Sequence, residues 1–303
     1  MAKGERRLRS THFPQLPPAP GDYPVFPDKS TWPVVFPELP PSRDGGPSRP
    51  PQHISKAVAP RIAADRLPGH IAIVMDGNGR WATKQGLPRT EGHRAGEEAL
   101  FDAACGALEL GIPYFTVYAF STENWRRPHE EVRFLLNVIA DQLLTRRRDE
   151  LHRMGVRIRF MGRRDWRVPR WVVRRMDEAA ALTAGNTAMT LTVAFNYGGR
   201  AEIVDAVRAI VSSGVSPGKV DERMIRRHLY APDLPDPDLV IRTSGEYRIS
   251  NFLLWELAYS ELVFTDVLWP DFRREHLLEA VREFQARDRR YGNTQGGHDD
   301  GIP

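Results

Sequence analysis

The sequence predicts an α/β protein, an open, mostly parallel six-stranded sheet surrounded by helices, behind a proline-rich N-terminal extension. Three observations carry this. Beyond residue 66, apolar runs of strand length alternate with amphipathic stretches of helical length. Hydrophobic residues make up 41% of the 303 residues, enough for a sizeable core. The first sixty residues instead hold 14 of the 25 prolines, with pairs at Pro17-Pro18, Pro40-Pro41 and Pro50-Pro51, a pattern that excludes helix and central strand. The expected organisation is a weakly structured leader over 1–65, one folded unit over 66–292 and a flexible tail over 293–303.

Strands are predicted over 71–75, 114–120, 156–161, 189–195 and 239–242, with a short one over 261–264. Helices are predicted over 91–110, 129–154, 169–184, 200–211, 221–228 and 272–290. Gly111 and Gly155 stand just past two of these helices, both natural C′ positions. Thr90 is placed to cap the first. The basic run Arg146-Arg-Arg148 reads as a solvated helix end, with a membrane surface as the alternative.

Net charge is +4 with pI near 9.3, which suits anionic ligands or an anionic membrane surface and singles out neither. Cys105 is the only cysteine, so no disulfide within the chain and no cysteine zinc site is expected. No apolar run approaches bilayer-spanning length. Lys3, Arg6, Arg7 and Arg9 have no apolar segment behind them, so they form no secretory signal. The expected location is cytoplasmic, with peripheral contact at the inner face of the plasma membrane. No nucleic-acid partner is expected, because no RNA-binding motif is present.

Four strands end in polar punctuation. After the first comes Asp76-Gly-Asn-Gly-Arg80, then Ser121-Thr-Glu-Asn-Trp-Arg-Arg127, then Asn196-Tyr-Gly-Gly-Arg200 and finally the stretch from Arg242 to Asn251. Parallel strands bring such ends side by side, where open α/β sheets bind ligands. Gly77 and Gly79 let the backbone turn and offer its N–H groups to an anion. Arg80 forks onto phosphate oxygens, and Asp76 tolerates a phosphate only through a cation, usually Mg²⁺. Alone, this first segment reads equally as an ordinary Asp-Gly/Asn-Gly turn. Its recurrence at four strand ends favours a site for a phosphorylated ligand and a metal.

Further candidates follow. Arg89 and His93 are four apart at a predicted helix start, where the dipole favours an anion. Ser121, Asn124, Trp125 and Arg127 offer a hydroxyl, an amide, a flat wall and a cation, or a cap for the helix at His129. Arg242, Arg248 and Ser250 surround Gly245 as a second phosphate cluster. Glu261 opens an apolar run and is either a metal partner for Asp76 or an exposed strand-start acid. No P-loop, no full dinucleotide fingerprint, no nucleophile elbow and no Asp-Asp-x-x-Asp pair is present. The small residues of 91–110 facing the large ones of 129–154 read as close packing or as room for a long apolar ligand.

With these residues assembled, the chain resembles the cis-prenyltransferase family of the undecaprenyl diphosphate synthase type. The shared text runs His70 to Trp81, Arg89-Thr-Glu-Gly-His93, Tyr118 to Trp125, Phe195 to Arg200, Ile241 to Phe252, Glu261, Leu268-Trp-Pro-Asp-Phe272 and Arg290-Tyr-Gly292. The proline-rich leader resembles that of mycobacterial-type decaprenyl diphosphate synthases. The resemblance implies the cis-prenyltransferase fold, a homodimer, and repeated condensation of isopentenyl diphosphate onto an allylic diphosphate primer such as farnesyl diphosphate. The product it implies is a decaprenyl or undecaprenyl diphosphate, a lipid carrier for cell-wall synthesis, released at the membrane. By position, Gly77, Asn78, Gly79, Arg80, Arg89 and His93 are implied to hold the primer diphosphate. Arg242, Arg248 and Ser250 are implied to hold isopentenyl diphosphate, and Asp76 and Glu261 to bind Mg²⁺. Trp81, Ser121, Thr122, Glu123, Trp125, Arg127 and Ile249 complete the implied substrate site, and Asn124 is implied to handle a proton. Arg290 and Gly292 are implied to reach into the partner subunit's site. The chain departs from the commonest wording at Ser244, where glycine is frequent, with no catalytic consequence expected. It also runs eleven residues past Gly292.

Overall fold

The computed structural model of the chain describes residues 66–139, 145 and 147–287. The leader expected over 1–65, the tail expected over 293–303, and Arg290 and Gly292 lie outside the described residues.

Six strands, β1 (His70–Val74), β2 (Tyr114–Ser121), β3 (Val156–Met161), β4 (Met189–Tyr197), β5 (Leu239–Arg242) and β6 (Glu261–Phe264), form one sheet in the order β3-β4-β2-β1-β5-β6. Every pairing is parallel. All six lie where the apolar runs predicted them. Side-chain alternation then sorts the sheet into two faces. Ile71, Ile73, Phe115 and Val117 enter the larger core cluster, while Ala72, Val74, Ala194 and Val240 enter the smaller one with Tyr197 and Phe252.

The helices are α1 (Asn78–Lys84), α2 (Arg89–Glu109), α3 (His129–Val138), α4 (Arg147–Arg153), α5 (Arg170–Thr183), α6 (Gly199–Ser212), α7 (Glu222–Arg227) and α8 (Arg274–Ala286). The two ends of the stretch predicted over 129–154 are helical, as α3 and α4. Gly111 and Gly155 adopt φ values of 69° and 72°, the left-handed conformation of a C′ residue. Thr90 is no cap, because α2 begins one residue earlier behind Pro88. α1 was not expected, since its residues read as a turn. Gly77 makes the whole reversal at φ 110°, so a helix starts at once on Asn78. No helix among the described residues is long and apolar enough to cross a membrane.

Under the smaller core face lie two buried carboxyls, Glu202 on α6 and Glu256. Glu202 accepts bonds from the Tyr197 hydroxyl and the Tyr230 backbone N–H. Burial, then the charge of Glu202, pushes the Glu256 carboxyl up to about 8. The folded chain therefore holds a proton that the unfolded chain releases in the ordinary carboxylate range. Stability from this group is full below that range and is lost as pH rises towards about 8. Glu256→Gln should flatten that loss. Thermal melts across the window should show the variant falling by fewer degrees than the wild type.

Candidate active site

The chain passes from β1 to β2 on one side, and only later returns to β5 on the other side of β1. β1 thus sits at the topological switch, where a crevice opens at the carboxyl ends. Those ends supply Asp76, Ser121 and Arg242. They line one cavity of about 600 Å³ with α1, α2 and α3. Its mouth is polar, with Asp76, Asn78, Arg89, His93, Arg127, Arg242 and Ser250. Its inner wall is apolar, with Leu100 of α2 and Leu135, Val138 and Ile139 on the α3 side.

Close packing of α1 on α2 shapes the mouth. A Cβ on Gly92 would lie 2.0 Å from the Asn78 carbonyl oxygen, so no other residue lets these helices approach. Gly96, one turn on, makes the same room for the Asn78 side chain. Three buried polar atoms in this cavity lack a partner, Asn78 Oδ1, His93 Nε2 and Arg242 Nε. Of these, Arg242 Nε is a donor suited to an anion, His93 Nε2 donates or accepts according to its tautomer, and Asn78 Oδ1 only accepts. Burial first, then the charge of Arg127, pushes the His93 imidazole down to about 4, so it stands neutral in the free protein.

Arg242 is the hub. Its side chain is 5% exposed. It donates to Asp76 Oδ2 at 2.9 Å, to Ser250 Oγ at 2.6 Å and to the Arg248 carbonyl. Arg80 lies 3.4 Å from the other Asp76 oxygen. Burial raises the Asp76 carboxyl, but the hydrogen bond and charge of Arg242, then Arg80, outweigh it and hold the group below the usual carboxylate range. Asp76 is therefore an ionised acid between two guanidiniums. Among the described residues no group of three or more His, Cys, Asp or Glu side chains is placed to hold a metal. One carboxylate at the mouth still suits Mg²⁺, which is commonly held by one or two carboxylates together with substrate phosphates.

The family described as "Putative undecaprenyl diphosphate synthase" matches residues 74–292. The chain belongs to the undecaprenyl diphosphate synthase family. It is 55% identical over 286 residues to a decaprenyl diphosphate synthase of Mycolicibacterium smegmatis, covering 93% of this chain and 97% of that one. It is 57% identical over 298 residues to the decaprenyl diphosphate synthase of Mycobacterium leprae, covering 97% of this chain and all of that one. The lavandulyl diphosphate synthase of Lavandula x intermedia, solved with dimethylallyl diphosphate, superposes with a TM-score of 0.72 at 34% identity, over 76% of this chain and 100% of that one. The chain is thus a prenyltransferase, a polyprenyl diphosphate synthase by family.

Within this prenyltransferase, Asp76, Gly77, Asn78, Gly79, Arg89, His93, Ser121, Glu123, Asn124, Arg127, Arg242 and Ser250 all line the one cavity. Arg80 stands beside it, with Nη1 and Nη2 on the Ser244 carbonyl and hydroxyl at 2.9 and 2.5 Å. Arg248 is largely exposed and pairs with Glu246. Ile249 is half-buried in the same loop. Trp81, Thr122 and Trp125 do not line the cavity. The Trp81 indole donates to Asp271 at 2.7 Å, and the Trp125 indole donates to Asn196 at 2.7 Å while its ring packs on Phe120. Thr122 bonds Glu123. Asn124 caps no helix at His129. Its Oδ1 accepts the Ser121 N–H at 2.9 Å, closing a short 3₁₀ turn over Thr122–Arg126.

Glu261 is the main departure from expectation. It opens β6 in register with Leu239, which is itself level with Ile71. Asp76 is five residues beyond that level, about 16 Å along the sheet. The Glu261 carboxylate is held by Arg287 at 2.8 Å. Within one protomer, Asp76 and Glu261 do not share a metal.

Residues missed from the sequence are Gly96, Glu97, Tyr118, Asn251 and Trp269, all cavity-lining. The spacing of Gly92 and Gly96 on one helix face was the available signal. Ser244 stands beside the cavity and accepts Arg80 through its carbonyl and hydroxyl. It holds φ 82°, a glycine-like conformation, while docking Arg80. Ser244→Gly should leave the melting temperature equal or higher. It should raise the KM for the allylic diphosphate about fivefold, the loss of one hydrogen bond worth about 1 kcal/mol to half-exposed Arg80. Steady-state kinetics and a melt of the same sample check both.

Proposed function

We propose that the chain adds isopentenyl diphosphate repeatedly to an allylic diphosphate primer, farnesyl diphosphate or similar, forming a cis double bond at each step. The product is a long-chain polyprenyl diphosphate of decaprenyl or undecaprenyl length, a lipid carrier for cell-wall synthesis. The observation supporting this is the single cavity that joins a cationic mouth with unpartnered polar atoms to an apolar inner wall.

The residues divide the work as follows. The primer diphosphate lies at the amino end of α2, where the helix dipole, Arg89, the His93 nitrogen and the Asn78 side chain face it. Arg80, docked on Ser244, closes one side. Isopentenyl diphosphate takes Arg248 and Ser250, with Arg242 beneath it. The primer carbon–oxygen bond breaks, the leaving diphosphate gains charge, and these cations offset that gain. The isopentenyl double bond attacks the allylic carbon, and a proton leaves the new chain. Asn124 keeps its oxygen on the Ser121 N–H, so it presents amide protons to the cavity. It orients the diphosphate or water that takes the proton and is not itself the base. Asp76 would hold Mg²⁺ on the primer diphosphate, and the ion supplies charge neutralisation of the leaving group when bound.

A homodimer belongs to this reading. β6 is a sheet edge, and the exposed Tyr247 lies on its Phe264. Glu261 reaches a metal only if a second copy brings it there, and the role proposed for Arg290 and Gly292 is likewise in a second copy's site. Delivery of so apolar a product is proposed to occur at peripheral contact with the membrane.

The test is incorporation of labelled isopentenyl diphosphate into solvent-extractable lipid. Incorporation should need an allylic diphosphate and should stop when EDTA removes the metal. No incorporation with any allylic primer would overturn the proposal.

A further inference from the structure

Trp166 is 91% exposed, more than any other large hydrophobic side chain among the described residues. An indole is on average well buried, so one standing in water calls for a cause. A tight turn between β3 and α5 holds it there. Asp165 accepts the Val168 N–H with its carbonyl and the Arg167 N–H with its carboxylate, each at 3.1 Å. Trp166 is at the tip of that turn. Five residues on, at the start of α5, Trp171 is 38% exposed.

The same turn borders a second cavity, of about 490 Å³, distinct from the site above. Arg167, Pro169 and Trp171 form one side of it, and Val132, Arg133 and Leu136 of α3 the other. No carboxylate lines it. Arg167 is paired with Asp165, but Arg133 and Arg170 have no acidic partner among the described residues. Exposed indoles beside unpaired arginines suit the surface of an anionic bilayer. The rings settle at headgroup level, and the guanidiniums take lipid phosphates. The basic run at Arg146–Arg148, read as a solvated helix end or a membrane contact, is neither at Arg147. That side chain is 11% exposed and takes Glu97 at 2.9 Å and Glu98 and Glu150 at 2.7 Å each.

We infer that the Trp166 turn and the recess between α3 and α5 form a docking surface for an anionic lipid bilayer, with a phospholipid headgroup in the recess. The inference rests on the proposal that product is delivered at peripheral membrane contact, and it assigns the surface that makes the contact. Two features of the fold agree. β3 is the sheet edge opposite β6, so a homodimer formed through β6 leaves this surface open. α3 is shared, with Leu135 and Val138 on the main cavity and Val132 and Leu136 on the recess. One helix then separates an apolar tail in the cavity from the bilayer.

The test is co-sedimentation of the full-length protein with vesicles of phosphatidylcholine alone and of phosphatidylcholine with an equal part of phosphatidylglycerol. The wild type should bind the anionic vesicles and release them in high salt. Arg133→Glu, which turns a cation into an anion, should bind them about tenfold more weakly. Trp166→Ser should also weaken binding, by roughly fivefold. Both variants should keep the wild-type melting temperature and, in detergent, the wild-type rate of isopentenyl diphosphate incorporation. Where Arg133→Glu melts lower, Trp166→Ser decides, because its side chain packs on little. Anionic vesicles bound as tightly by a normally melting variant as by the wild type, or neutral vesicles bound equally well, overturn this surface and leave membrane contact standing elsewhere. A wild type that binds neither vesicle overturns the membrane-contact proposal with it. A surface meant for a protein partner gives one of these overturning results.

Discussion

Asp76→Asn is expected to lower the turnover rate roughly a thousandfold, about 4 kcal/mol of lost transition-state stabilisation, while the protein stays folded. The carboxamide keeps an oxygen for Arg242, so the buried guanidinium retains its partner at the position now 2.9 Å away. What is lost is the negative charge proposed to hold a metal against the diphosphate. Asp76→Ala should lose as much activity and also melt lower. It leaves Nη2 of Arg242 without a partner, in a side chain whose Nε already has none. The comparison separates the two roles of one acid. Steady-state rates against Mg²⁺ and melts of both variants check it. A folded Asp76→Asn that keeps a tenth of the wild-type rate would remove Asp76 from the centre of the chemistry.

Arg242→Lys should be nearly as damaging despite the conserved charge. The guanidinium spans Asp76 on one side and Ser250 with the Arg248 carbonyl on the other. A single ammonium is a point donor on a flexible stem and does not reach both. The loop carrying Ser250 and Asn251, both at positive φ, then loses its tie to β1. We expect kcat/KM for isopentenyl diphosphate to fall roughly a hundredfold, about 3 kcal/mol, with a rise in KM as well as a fall in kcat. An unchanged KM would place Arg242 outside isopentenyl diphosphate binding.

The strands and the convergence of their ends were legible because polar residues break each apolar run abruptly. Asp76, Ser121 and Arg242 meet for that reason. Other features depend on information that the local pattern does not carry. Glu261 looked like a partner for Asp76, but β6 pairs with β5 from its first residue, so its acid lies at the far end of the sheet. Trp125 looked like a wall and Trp81 like part of the substrate site, yet each spends its indole N–H on a distant partner, Asn196 and Asp271. The Asp76–Arg80 segment reads as a turn because glycine and asparagine favour turns. Only the close seat that Gly92 provides lets the same residues continue as α1. Arg147 is the sharpest case. A triple-arginine run looks solvated until its carboxylates arrive from α2, about fifty residues earlier.

The central claim is that one cavity both binds the two diphosphates and takes up the lengthening chain. The most direct test is the structure of the product formed by the wild type from farnesyl diphosphate and isopentenyl diphosphate with Mg²⁺. Mass spectrometry counts the added units, and NMR of the purified lipid assigns each new double bond. The account predicts a long-chain product in which every added double bond is cis. A product that stops after a single addition, or one whose added double bonds are trans, would contradict it.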